Sequence, residues 1–168
     1  AHRFAWGSVV MSFLCVLAVF TGTLRTGAAR EVVVYKWIFG GDLAINLAYL
    51  IDPLTCIMLL VITGVGFLIH VYSVGYMHGE SGFTRFFVYM NLFMVSMLLL
   101  VMGNNYVVLF IGWEGVGLCS YLLIGYYYDK VSAAKAATKA FVVNRIGDAG
   151  FLLAIFLVFV NFRTLDYT

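Results

Sequence analysis

Charge is what this sequence has least of. Of 168 residues only 11% are Asp, Glu, Lys or Arg, against roughly one quarter in an ordinary soluble domain. The ten basic and eight acidic residues are spread thinly, with no basic block, so nucleic acid finds no electrostatic footprint here. Cysteine occurs three times, at Cys15, Cys56 and Cys119. None belongs to a CxxC pair or lies near His at metal-ligand spacing, which excludes a sequence-evident metal centre. All three fall within apolar runs and read as small buried residues. No GxGxxG follows a strand and no Cys quartet exists, so nicotinamide, flavin and iron–sulfur groups have no binding motif in this chain. His70 and His78 are too close together, and too alone, to ligate haem. Proline appears once, at Pro53.

What the sequence has instead is apolar length. Hydrophobic residues make up 64% and the mean hydropathy is +1.01, the composition of an all-α integral membrane protein. A hydrocarbon core of about 30 Å needs roughly 20 helical residues. Five runs qualify, at about 4–24, 54–76, 83–102, 104–126 and 136–160. They are expected to be helices, because an open strand leaves backbone groups unpaired in lipid. The first run is too long for a signal-peptide core, and no small-residue cleavage site follows it.

Residues 31–52 (EVVVYKWIFGGDLAINLAYLID) interrupt the pattern: two β-branched halves flank Gly40-Gly41-Asp42, predicting an extramembrane hairpin. Asp52-Pro53 then reads as an N-cap followed by proline at N1. The chain is thus expected to form a single membrane domain over residues 1–168. Tyr126-Tyr127-Tyr128 and Phe86-Phe87 lie at run ends, where interfacial aromatic belts form. Alternating the loops sets Arg3, Arg85, Lys130 and Lys135 on one side against Arg25, Arg30, Lys36 and Arg163 on the other. Only Lys139 tilts that balance.

Apart from Arg85 and Lys139 near run ends, three charges fall inside the runs: Glu114, Arg145 and Asp148. An unpaired charge at the bilayer centre costs about 2.5–3.5 kcal/mol or more. Glu114, about ten residues into its run and so roughly 15 Å deep, is too short to snorkel out. Gly112, Gly115, Gly117, Cys119 and Ser120 around it suit close helix packing. It is either a protonated acid gluing helices or a carboxylate that exchanges protons, and any cationic partner must come from another helix. Arg145 and Asp148, three apart, share a helix face with Asn144 and can pair. They are either a self-neutralised pair, in which losing Asp148 strands the arginine, or part of a polar track. His70 is a hydrogen-bonded core residue or a proton relay. Lys139, on the opposite face from Asp148, reads by itself as a snorkelling lysine.

The strings GWEGVGLCSYLLIGYY, KAFVVNRIGDAGF, TGVGFLIHVYSVGYM and FTRFFVYMNLFMVSMLLLVMGNN closely resemble the largest antiporter-like subunit of NADH:quinone oxidoreductase (respiratory complex I), called chain 5 or chain L. The resemblance covers about residues 52–160. Residues 1–24 and the hairpin match in character only, and YYYDKVSAAKAATKA lacks a proline that many relatives carry. The resemblance implies about fourteen transmembrane helices in the family, with this chain an N-terminal piece running from near the second helix to after the sixth. It implies that Glu114 is the central acid of a proton half-channel, paired with a Lys on the next, broken helix, which this chain does not include. Arg145 and Asp148 would lie in or beside the polar path, and His70 and Lys139 join them as candidate proton-translocation residues.

The implied activity is proton translocation coupled to quinone reduction elsewhere in the complex. NADH, FMN, iron–sulfur clusters and quinone would reside in partner subunits, and other membrane subunits, especially a neighbouring antiporter-like one, would be partners. The implied location is the bacterial inner or mitochondrial inner membrane, with residues 1–3 cytoplasmic (or matrix) and the hairpin periplasmic (or intermembrane). Two alternatives stand beside this. One is an Mrp-type sodium or potassium/proton antiporter subunit, which EGVGLCSYLLIG disfavours. The other is a non-pumping scaffold.

Overall fold

The computed structural model of the chain describes residues 2–40 and 43–167. Among the described residues, five helices are long and apolar enough to cross a membrane: α1 His2–Thr26, α2 Pro53–Tyr76, α3 Phe83–Met102, α4 Tyr106–Ile124 and α5 Val131–Phe162. Strands β1 (Arg30–Gly40) and β2 (Leu43–Ile51) lie between α1 and α2 and pair antiparallel. The protein is an all-α, multi-pass membrane chain with one extramembrane hairpin. Of the expected turn, Gly41 and Asp42 lie outside the described residues.

Local chemistry accounts for where the elements begin. Asp52 caps α2, its Oδ1 accepting from the Thr55 N–H at 2.6 Å, and Pro53 occupies N1, where its missing N–H is no loss. The fourth helix starts two residues later than the apolar run because Asn105 is its cap, with Oδ1 accepting from the Val108 N–H at 2.9 Å. The fifth starts five residues earlier than expected, at Val131: the Ala-rich stretch before Lys139 has high helix propensity and continues the helix out of the apolar zone. Eleven residues of β1 face nine of β2, and two register shifts, at Val33/Tyr35 and Lys36/Ile38, absorb the excess. The expected in-and-out alternation fails on β1, which is exposed along its whole length. On β2, by contrast, Ile45 and Ala48 are buried.

The bundle is tied at the hairpin end by residues 103–105. Asn104 N–H donates to the Ala48 carbonyl (3.1 Å), and its Nδ2 donates to Glu31 Oε1 (2.7 Å). Asn105 Nδ2 donates to the Asn46 carbonyl (2.8 Å). From the other side, Tyr106 N–H reaches the Leu165 carbonyl (3.0 Å) and Tyr167 N–H the Asn104 carbonyl (3.2 Å). Ile45, Ile155 and Leu165 form a small apolar core beneath this tie. Helices α3 and α4 approach closely at Gly112, where an added Cβ would lie 2.5 Å from the Leu100 backbone nitrogen. Cys56 and Cys119 are buried, but Cys15 is exposed on α1, a correction to the expectation that all three are interior. An apolar helix run does not say which of its faces meets another helix.

Asp166, in this tie, has its carboxyl raised by burial first and by the nearby Glu31 second. An acid whose folded pKa is raised destabilises the native state once ionised. The penalty is absent below the unfolded pKa and complete above the folded one. Asp166→Asn should therefore raise the thermal midpoint at about pH 7 and leave it unchanged at about pH 3. A variant that melts like the parent at both pH values counts against this account.

Candidate functional site

Glu114 is the ninth residue of α4's nineteen, near mid-membrane, and points toward α5. Arg145 reaches across from α5: its Nη1 contacts Glu114 Oε2. Arg145 Nη2 also lies 3.0 Å from Asp148 Oδ2, one turn along the same helix. That second approach is an ion pair rather than an aligned hydrogen bond, since Asp148 Oδ2 has no hydrogen-bond partner. The Trp113 indole N–H donates to Asp148 Oδ1 at 2.7 Å. The result is a carboxylate–guanidinium–carboxylate row bridging two helices.

The three members differ in exposure. The Asp148 side chain is 6% exposed, against 30% for Glu114 and 33% for Arg145. Arg145 also stacks over Phe141, 4.8 Å from the ring centroid. It has room to cross because α4 carries glycine opposite it: a Cβ at Gly117 would sit 3.0 Å from Arg145 Nη2. A cleft of about 440 Å³, lined among others by Leu109, Trp113, Asn144 and Asp148, opens beside the row.

The structure thus brings together Glu114, Arg145 and Asp148. The expected Arg145–Asp148 pair is present but is not self-contained, because the same guanidinium also serves Glu114. It leaves His70 and Lys139 apart. His70, on α2, is fully buried; its Nδ1 is 2.7 Å from the Gly66 carbonyl and its Nε2 has no hydrogen-bond partner. With a carbonyl facing it, Nδ1 carries the proton. Lys139 is exposed and lines a groove with Tyr128, Lys135, Thr138 and Val142. Sequence reasoning missed Trp113 and the specific part of Gly117. Trp113 adjoins Glu114 in sequence, but its partner is 35 residues away, and no local pattern reveals such a contact.

Residues 37–87 match the family described as "NADH-Ubiquinone oxidoreductase (complex I), chain 5 N-terminus", and residues 103–168 match "NADH:quinone oxidoreductase/Mrp antiporter, TM". The chain belongs to the chain 5 (subunit L) family of complex I. NADH-quinone oxidoreductase subunit L of Mycobacterium tuberculosis is 49% identical over 97% of this chain and 27% of its own length. The Pseudomonas aeruginosa subunit L is 50% identical over 83% and 23%. The chain therefore spans about a quarter of the length of these curated members of the chain 5 family. Among solved structures, the Mrp complex from Dietzia sp. superimposes with a TM-score of 0.82 at 25% identity, over 98% of this chain and 17% of the matched one.

The shared guanidinium gives a non-additive prediction. Removing Asp148 alone no longer strands Arg145, contrary to the expectation from an isolated pair, because Glu114 still neutralises it. Removing Glu114 alone leaves Asp148 in place. Glu114→Gln and Asp148→Asn should each have a mild effect on thermal stability, while the double variant leaves an arginine inside a membrane helix without a carboxylate and should cost about 2.5–3.5 kcal/mol. A double-mutant cycle measured by thermal denaturation of the assembled subunit checks this, and additive effects would refute the shared pair.

Proposed function

We propose that the chain, as one membrane domain over residues 1–168, belongs to a proton-translocating subunit of NADH:quinone oxidoreductase, and that Glu114 holds the proton. The observation carrying this is the two-acid, one-base row in mid-membrane. With both carboxylates ionised its net charge is −1; with one extra proton it is neutral. A low-dielectric interior favours the neutral form, and arginine does not give up its proton, so the exchangeable proton belongs to a carboxylate. Asp148 is the more buried of the two and already accepts from the Trp113 indole. Glu114 is the more accessible and is the acid that exchanges.

Uptake at Glu114 weakens its hold on Arg145 and leaves the guanidinium to Asp148. A second cation brought near Glu114 would favour its ionised form and expel the proton. Proton movement can thus be driven from elsewhere in a complex without redox chemistry in these helices. NADH, FMN, iron–sulfur clusters and quinone are then carried by partner subunits. The partners include other membrane subunits, a neighbouring antiporter-like one among them. The complex resides in a bacterial inner or mitochondrial inner membrane, with the hairpin on the periplasmic or intermembrane side. His70, buried with a spare nitrogen, and Lys139, at the outer part of α5, take secondary parts in proton passage through other helices or water.

The Mrp-like structural neighbour supports a second assignment, a cation/proton antiporter subunit. Identity of about half to subunit L sequences, against a quarter to the Mrp structure, favours complex I. A sodium site also needs several oxygen ligands, often from a broken helix, and α4 contains no proline. Glu114→Gln keeps side-chain size but cannot ionise, so the assembled complex should keep electron transfer from its redox subunits while losing most quinone-linked proton uptake into vesicles. Normal pumping by that variant rejects the proposal. Sodium-dependent activity that persists with an uncoupler present would favour the antiporter.

A further inference from the structure

The indole of Trp113 reaches the charged row from α4 without carrying a charge itself. It is gripped at two points of α5. Its ring meets Phe151 nearly edge-on, with centroids 5.8 Å apart and planes at 80°, and its N–H donates to Asp148 Oδ1 at 2.7 Å. Asp148 and Phe151 lie three apart and so share a helix face. Phe151 in turn packs edge-on against Phe110 of α4, at 5.6 Å and 74°. The direction in which the indole N–H points is therefore set by aromatic packing on both helices.

What that N–H does follows from the shape of a guanidinium. Arginine presents two parallel N–H groups along an edge, and a carboxylate that takes both with its two oxygens makes the strong, forked pair. An Asp carboxylate turns readily about its last torsion, so nothing in its own geometry stops it from offering both oxygens to an arginine one turn away. Asp148 offers one. Its Oδ2 lies 3.0 Å from Arg145 Nη2 without hydrogen-bond alignment, while Oδ1 is committed to the indole. Arg145 Nε, whose N–H lies on the same edge of the guanidinium as Nη2, is buried and has no hydrogen-bond partner among the described residues. That edge is thus half used, and the remaining terminal nitrogen, Nη1, contacts Glu114 Oε2.

We propose that Trp113 is a positioning residue of the row: by holding one oxygen of Asp148, its indole N–H keeps the Arg145–Asp148 fork open and leaves the arginine shared with Glu114. The proposal rests on the reading of Glu114 as the proton-holding acid. On that reading the guanidinium shifts toward Asp148 when Glu114 takes up a proton and returns when the proton leaves. A closed fork would tie Arg145 to Asp148 through two aligned bonds, and the return to Glu114 would have to break both. Trp113 acts through Asp148, and its contribution is the N–H rather than the bulk of the ring.

The test uses the intact membrane complex containing the full subunit. Trp113→Phe keeps an aromatic ring against Phe151 and removes the donor. Benzothienylalanine in place of Trp113 is the stricter variant, because it has the shape of tryptophan with sulfur where the N–H was. In density maps of either variant from electron cryo-microscopy, Asp148 should turn both oxygens onto Nε and Nη2 of Arg145. Proton uptake into vesicles is measured per electron transferred, with Glu114→Gln alongside. Of the uptake that Glu114→Gln removes, each Trp113 variant should retain about a tenth, the fold-change of one hydrogen bond to a charged group. Full uptake with benzothienylalanine overturns the role of the N–H. An Asp148 carboxylate that keeps its parental orientation in both variants overturns the open fork. Normal pumping by Glu114→Gln rejects the proton-holding acid itself, whereas loss of pumping there beside normal pumping in Trp113→Phe rejects the positioning role alone.

Discussion

A single guanidinium placed between two carboxylates, in the middle of two membrane helices, is the constraint that most of the α4–α5 region answers to. Arg145 cannot shed its charge, so one acid must stay ionised beside it wherever water is scarce. Asp148 lies on the same helix, is almost fully buried and accepts from the Trp113 indole. Glu114 brings a second carboxylate to the same guanidinium, from the neighbouring helix. Gly117 supports the arrangement by leaving space for the arginine to reach α4.

The rest of the bundle keeps that row in register. Helix α4 is fixed against α3 by near backbone contact at Gly112, and its start is fixed by the buried Asn105, which caps the helix while holding the hairpin through the Asn46 carbonyl. A residue with both jobs couples the position of α4 to the hairpin and, through Tyr106 and Leu165, to the end of α5. The two helices that supply the charges are therefore joined beyond the apolar zone as well as across it. Inside lipid the hydrophobic effect gives little preference for one helix pairing over another, and packing and hydrogen bonds must provide it.

The two ends of the bundle solve different problems. At the hairpin end, backbone and asparagine amide groups tie the strands to the helices, and acids such as Glu31 and Asp166 lie close enough to interact unfavourably. At the opposite end, aromatic rings and basic side chains gather around Arg85, which also donates to the Tyr126 carbonyl.

Apolar run length by itself determined the five helices and their order, because lipid permits no other backbone solution at that length. The Asp52-Pro53 start of α2 and the existence of the hairpin were also legible, since caps and strand–turn–strand patterns are local. Depth alone marked Glu114, and three-residue spacing alone paired Arg145 with Asp148. Only the tertiary structure decided that one arginine serves both acids, that Trp113 rather than solvent completes Asp148, that β1 is exposed throughout, and that Cys15 faces outward. The same physical reason underlies all four. Inside a membrane a helix is apolar on every side, so periodicity no longer says which face meets a neighbour, and partners dozens of residues apart in sequence are chosen by packing alone.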